Sequence, residues 1–209
     1  AHPLASTAIE VIEGGRKVAG SATFQAGLVE LQDVASQAVV ETLALRKGQR
    51  ILDYCAGGGG KALALAALAD SAVDAWDSDA ARMQDIAKRA ERAGADITCL
   101  TEKPSGQYDI VLCDVPCSGS GAWRRAPQGK WLLTSERLTQ LGNVQGDILQ
   151  QAARLVSPGG VLVYTTCSLL AQENMDQLAK FTEATPGWIC DFSRQFLPIE
   201  GGEIGRAHV

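Results

Sequence analysis

The sequence is short of several things, and each shortage excludes a class. It has no apolar run approaching the roughly 18 residues that span a bilayer, and no secretory leader is visible. It begins Ala1-His2-Pro3 rather than with Met, which reads as a fragment or a processed form. Histidine is scarce, two residues in 209, so the six cysteines have few partners for a metal. Cys113 and Cys117, the close pair, lack a second pair and a nearby His, which argues against zinc, and no metal is expected. A chain this long without a leader does not read as a secreted disulfide framework, so a reducing cytoplasm is the expected compartment. Basic charge is short as well, with 19 Lys and Arg against 24 Asp and Glu and a net charge of -5. Taken alone, that balance weighs against a nucleic-acid-binding domain, because phosphate affinity comes from clustered cations. No repeat or low-complexity segment is present. What remains is ordinary for a folded domain, 46% hydrophobic and 21% charged.

The order of elements follows from apolar periodicity and turn residues. Residues 1–23 are small and polar and read as an arm or linker; residues 24–202 read as the folded domain. A helix is expected over 33–45 with Asp33 as its N-cap. A short strand over 50–53 ends in Asp53 and feeds Cys55-Ala56-Gly57-Gly58-Gly59-Gly60-Lys61, followed by an Ala- and Leu-rich helix to about 69. Strand, glycine loop and helix together offer backbone N–H groups and a helix N-terminus to a ligand. A P-loop would need Gly where Cys55 stands and Ser or Thr where Ala62 stands. A nicotinamide fingerprint is met only loosely, and Asp53 is awkward beside a pyrophosphate. S-adenosylmethionine carries a sulfonium and an ammonium and no phosphate, so a nearby carboxylate is tolerable. The second strand, 72–77, ends in Asp77, placed to accept hydrogen bonds from ribose hydroxyls, and Asp79 reads as the cap of a helix over 80–93. Further strands are expected over 96–100, 108–113, 161–166 and 188–192, and further helices over 135–155, loosened at Gly142 and Gly146, and over 169–181. Repeated β-α order predicts a doubly wound, mostly parallel α/β sheet.

The chemistry is expected at two strand ends. Asp114 closes the apolar run Ile110-Val111-Leu112-Cys113, and Val115-Pro116 leads stiffly to Cys117. Cys167 closes the run Val161 to Thr166. Cytosine C5 is a weak nucleophile, and a thiolate that attacks C6 makes C5 able to take a methyl group. That needs a cysteine, a hydrogen-bond partner at N3 and a way to remove the C5 proton. A free thiol of pKa about 8.5 is only about 3% ionised at pH 7, and the helix expected after Cys167 would help to lower it. A cysteine where amino-group methyltransferases carry an aromatic residue, in Asp114-Val115-Pro116-Cys117, points to methylation at carbon. Between the two strand ends lies the basic and aromatic cluster Arg124, Arg125, Lys130 and Trp131, of residue types that meet phosphates and stack on bases.

With these residues in place, the chain resembles the Fmu/Sun (RsmB-like, Nol/Nop/Sun) family of RNA cytosine-5 methyltransferases over roughly residues 24–198. The resemblance rests on Gly27 with Leu31-Gln32-Asp33-Val34-Ala35-Ser36, on Asp53 to Lys61, and on Asp114 to Gly119. Arg124-Arg125 with Lys130-Trp131, and Tyr164 to Ser168 with Glu173-Asn174, complete it. It implies a Rossmann-like S-adenosylmethionine-dependent methyltransferase fold, with Cys167 as the nucleophile and Cys117 assisting product release. Asp114 would contact the cytosine and the cofactor side. Residues 55–61 and Asp77 would bind S-adenosylmethionine, and Arg124, Arg125, Lys130 and Trp131 would meet a structured RNA, ribosomal RNA foremost. The sequence departs from the family pattern at Gly58, where Pro is usual, and at Ala62, where Thr is usual. The third-strand acid for adenine is missing, with Thr101 and Glu102 nearby. The family's terminal strand and its N-terminal RNA-binding region are also missing, so residues 203–209 read as a non-native or disordered tail beside an exposed sheet edge. Two alternatives stay open: a DNA cytosine-5 methyltransferase, with Cys117 as nucleophile, and a non-catalytic RNA- or protein-interaction module that keeps the fold. The oligomeric state is not legible.

Overall fold

The computed structural model describes residues 2–196 and the backbone of 205–208. The chain divides into two compact units, Ala1–Ser105 and Gly106–Val209.

The first unit is built on three short parallel strands, β1 (Ile51–Asp53), β2 (Val73–Ala75) and β3 (Ile97–Cys99), in the order β3-β2-β1. Ile51 lies opposite Val73, and Val73 opposite Ile97. Every residue of β1 is buried, as expected for a parallel strand covered on both faces. Four helices accompany them: α1 (Ala22–Gln25), α2 (Val34–Glu41), α3 (Gly60–Ala69) and α4 (Ile86–Ala93). Asp33 caps α2 as its position predicts, accepting from the Ala35 N–H at 2.9 Å. The run of Ala and Leu in α3 combines high helix propensity with an apolar face, burying Ala62, Leu63, Leu65 and Ala66. The helix expected over 80–93 is two pieces. A 3-10 turn, Ala80–Met83, is capped by Asp79, and α4 starts only at Ile86. The arm is held in place, because Glu41 on α2 accepts hydrogen bonds from the backbone and side chains of Ser6 and Thr7.

The second unit carries β4 (Tyr108–Asp114) and β5 (Val156–Thr166), paired in parallel with Asp114 opposite Thr165. Its helices are α5 (Gln128–Leu132), α6 (Ser135–Ala153) and α7 (Met175–Ala184). β5 begins at Val156 rather than at the expected 161. Pro158-Gly159-Gly160, which reads as a turn, is an irregularity inside the strand, with a register shift opposite Tyr108 and Ile110. α6 runs unbroken through Gly142 and Gly146. Gly142 serves packing instead: Gln177 of α7 donates to the Gly142 carbonyl at 2.7 Å, and a Cβ at Gly142 would stand 2.7 Å from Gln177 Nε2. α7 starts at Met175, not at 169, because the residues before it are used in side-chain contacts described below. The final strands also differ from expectation. β6 is Ser193–Phe196 rather than 188–192, and β7 (Gly205–His208) pairs antiparallel with both β5 and β6, giving the order β4-β5-β7-β6. Of the expected tail over 203–209, residues 205–208 are therefore paired, while 203, 204 and 209, like 197–202 of the expected domain, lie outside the described residues. Among the described residues no helix is long and apolar enough to cross a membrane.

Candidate active site

In the first unit, residues 55–59 lie in the link between β1 and α3, and Gly60 and Lys61 open α3. Gly57 and Gly59 have φ of +50° and +80°, conformations that L side chains rarely adopt. A Cβ at Gly59 would also meet Ile86 Cγ1 at 2.8 Å, so the loop lies directly on α4. Gly58 is the exposed member, and its carbonyl accepts from the Arg89 guanidinium. Cys55, Gly60 and Lys61 are half-buried, while Ala56 is buried. Asp77 is brought to this loop, where its carboxylate accepts from the Gly57 N–H at 2.9 Å and from the Asp79 N–H at 3.0 Å. Arg82 closes the group with an ion pair to Asp77 at 2.9 Å. Asp53 is buried at the end of β1. β2 stops at Ala75, so Asp77 stands two residues past the strand and not at its end. A glycine loop, a helix N-terminus, Asp53 at the end of β1 and Asp77 suit the ribose diol and the cationic amino-acid part of S-adenosylmethionine. They do not suit a pyrophosphate beside the same carboxylates. The donor set therefore fits the cofactor that the resemblance implies.

In the second unit the structure brings together the two thiols named above. Cys117 Sγ and Cys167 Sγ lie 3.3 Å apart, although 50 residues separate them in sequence. Parallel pairing of β4 with β5 is the cause, since it places the loops after Asp114 and Thr166 side by side. Asp114, half-buried at the end of β4, accepts from Thr165 Oγ1 at 2.9 Å. The thiols are not equivalent. Cys167 is exposed and Cys117 half-buried. The Cys117 thiol is pushed far above the usual range, first by its hydrogen bond to Cys167, then by burial and by the negative charges of Cys167 and Glu173. Tyr164 beneath them is also pushed up, mainly by burial and then by the facing Cys117, Glu173 and Cys113. The raised pKa favours the protonated form of Cys117, and either sulfur can be the donor in the contact.

Arg124, Arg125, Lys130 and Trp131 are all exposed, on the segment after Trp123 and on α5. Trp131 is 81% exposed, which the packing of a five-residue helix does not require. Lys130 Nζ lies 5.5 Å from its ring centroid.

The structure adds residues to which sequence reasoning gave no role. Glu173 is fully buried and accepts from the Ser118 N–H at 2.8 Å and Gln145 Nε2 at 3.0 Å, and also from the hydroxyls of Ser118 and Ser168. Asn174 accepts from Thr166 Oγ1 at 2.7 Å and donates to the carbonyls of Ser168 and Leu170. Glu173-Asn174 was visible as part of the resembling motif. Nothing in the spacing told which loop either side chain would reach.

With this geometry in view, comparison with known proteins is specific. The family model described as 16S rRNA methyltransferase RsmB/F matches residues 40–197. Ribosomal RNA small subunit methyltransferase B of Proteus mirabilis is 35% identical over 184 residues, 84% of this chain and 44% of that protein. The chain thus spans less than half the length of the curated relatives it matches. Among solved structures, the crystal structure of PH0851 superposes with a TM-score of 0.82 at 27% identity, covering 90% of this chain and 48% of that one. A methyltransferase homolog protein from Pyrococcus horikoshii superposes with a TM-score of 0.77 at 21% identity, covering 91% of this chain and 70% of that one. The fold is the Rossmann-like α/β architecture of S-adenosylmethionine-dependent methyltransferases.

Proposed function

The chain belongs to the 16S rRNA methyltransferase RsmB/F family, and on that premise we propose that it is the catalytic part of an S-adenosylmethionine-dependent RNA cytosine-5 methyltransferase. Its substrate is a structured RNA, ribosomal RNA foremost. The observation that carries this reading is the contact of two thiols, 3.3 Å apart, on the loops that follow the paired strand residues Asp114 and Thr165.

Cys167, the exposed thiol, is the nucleophile. Its thiolate attacks C6 of a cytosine flipped out of the RNA stack, forming an S–C6 bond and moving an electron pair toward C5. Asp114, oriented by Thr165, meets the N3 edge and amino group of the base. S-adenosylmethionine, held by residues 55–61 and Asp77, supplies an electrophilic methyl group when bound. Cys117 then acts in the second half. Once the Cys167 sulfur is bonded to carbon, its negative charge and its hydrogen bond to Cys117 are gone. The largest cause of the raised Cys117 pKa goes with them, so Cys117 can release its own proton to solvent and, as a thiolate, take the C5 proton. Loss of that proton re-forms the C5=C6 bond and expels Cys167 as a thiolate. Arg124, Arg125 and Lys130 meet phosphates, and Trp131 stacks on a base.

The DNA-type alternative needs Cys117 as nucleophile. Its partial burial and its raised pKa favour the opposite assignment. The test is covalent trapping with S-adenosylmethionine and ribosomal RNA, applied to wild type, Cys117→Ala and Cys167→Ala. The expected result is a denaturation-resistant protein–RNA adduct that accumulates in Cys117→Ala and never forms in Cys167→Ala. The reverse pattern would move the nucleophile to Cys117. Cofactor binding with no adduct and no methyl transfer in any variant would favour the interaction module.

A further inference from the structure

We infer that Glu173 is a positioning residue for the thiol pair, holding the Cys117 and Cys167 loops in contact through Ser118 and Ser168. This rests on the two-thiol reading above and adds to it the group that sets the distance between the thiols. Each serine follows its cysteine directly, so fixing the serines fixes the thiols. One carboxylate binds both: it accepts from the Ser118 N–H at 2.8 Å and from the hydroxyls of Ser118 and Ser168. The serines also meet each other, with Oγ atoms 3.3 Å apart, and Ser168 Oγ lies 3.0 Å from Ser120 Oγ. A third element joins through Gln145 of α6, whose Nε2 donates to the Pro116 carbonyl at 2.9 Å and to Glu173 Oε1 at 3.0 Å. The Glu173 backbone is pinned in turn, because its carbonyl accepts from the Tyr164 hydroxyl at 2.7 Å.

A buried carboxylate is costly unless donors satisfy it. Here four donors converge on one fully buried side chain, and together they span both thiol loops and α6. A purely structural carboxylate could sit anywhere in the core. This one binds at the two residues next to the two thiols. Its negative charge also faces Cys117 and adds to the causes that keep the proton there.

The experiment measures thiol contact directly, with no RNA. Wild type, Glu173→Gln and the double variant Ser118→Ala/Ser168→Ala are equilibrated in glutathione redox buffers. The Cys117–Cys167 disulfide is then quantified by peptide mass mapping, and folding is checked by thermal melting. Two thiols and one glutathione disulfide exchange to give the protein disulfide and two reduced glutathiones. The clamp predicts that wild type forms this disulfide readily, and that the folded variants form it with an equilibrium constant at least tenfold smaller. Ser118→Thr, which keeps a hydroxyl, stays near wild type. Equal disulfide equilibria in wild type and in the folded variants would overturn the proposal. Should Glu173→Gln fail to fold, the serine pair supplies the readout. The two readings fail separately. A clamp-dependent disulfide in a protein that transfers no methyl group would sink the catalytic reading alone. Methyl transfer with a clamp-independent disulfide would sink this one alone.

Discussion

At Gly59 the backbone has φ +80°, and an added Cβ would stand 2.8 Å from Ile86 Cγ1. At Gly58 the backbone is not left-handed, and the nearest atom to an added Cβ is the end of a flexible side chain, Arg89 Nη1, at 3.6 Å. Gly59→Ala is therefore expected to lose about 1–2 kcal/mol from the left-handed conformation alone, and to weaken S-adenosylmethionine binding by displacing the loop. Gly58→Ala should leave both within about 0.5 kcal/mol. Thermal melts and a cofactor titration check the pair, and equal losses at the two positions would show that the loop does not rest on Ile86. Four consecutive glycines look alike in sequence, so this difference was not legible there. The thiols were legible for the opposite reason. Cys167 closes an apolar run and Cys117 follows one by a short stiff loop, and strand ends in a parallel sheet converge. Glu173 was not, because a carboxylate reaches its partners in three dimensions, here Ser118 and Gln145, 55 and 28 residues away.

At the scale of elements, α6 and α7 show where packing overrules propensity. Glycine inside a helix costs about 0.5–1 kcal/mol relative to alanine, which is why α6 reads as loosened at Gly142 and Gly146. At Gly142 a methyl group would stand 2.7 Å from Gln177 Nε2, the same atom that donates to the Gly142 carbonyl. At Gly146 the nearest neighbour is Gln177 Oε1 at 3.9 Å, an ordinary contact. Gly146→Ala is then expected to stabilise the protein by about 0.5–1 kcal/mol, and Gly142→Ala to destabilise it, as measured by urea unfolding. A gain at both positions would mean that Gln177 yields freely and that the contact between the helices is not a constraint. The alternation of strands and helices was legible from periodicity, since each apolar run is bounded by Gly, Pro or Asp. The boundaries were less so. Residues 169–174 have a helix-like pattern, yet Glu173 and Asn174 are committed to Ser118, Ser168 and Thr166, and those contacts hold the chain out of α7 until Met175. β5 extends back to Val156 because its partner β4 offers hydrogen bonds across a bulge that sequence reads as a turn.

For the whole molecule the question is how a chain of net charge -5 would meet the RNA proposed as its substrate. Affinity follows the local density of cations rather than the total. Arg124, Arg125 and Lys130 supply three exposed positive charges within seven residues of sequence, with Trp131 beside them. All four lie in the second compact unit, whereas residues 55–61 and Asp77 lie in the first. If that cluster meets RNA phosphates, removing its charges should act on RNA and not on the cofactor. The variant Arg124→Ala/Arg125→Ala/Lys130→Ala is expected to bind ribosomal RNA more weakly. Its plot of log affinity against log salt should be flatter by about 2, from a single-strand slope near 0.7 for each phosphate contact. Its S-adenosylmethionine affinity should be unchanged. Trp131→Ala should separate stacking from charge, losing about 1–3 kcal/mol of RNA affinity with the salt slope intact, because no counterion is released when a base stacks on an indole. Fluorescence-anisotropy titrations at several salt concentrations measure both quantities. A triple variant with wild-type slope would show that the phosphates are met elsewhere. The cluster would then be an exposed loop, and the RNA-binding charge would have to be sought outside the span that this chain shares with its longer relatives.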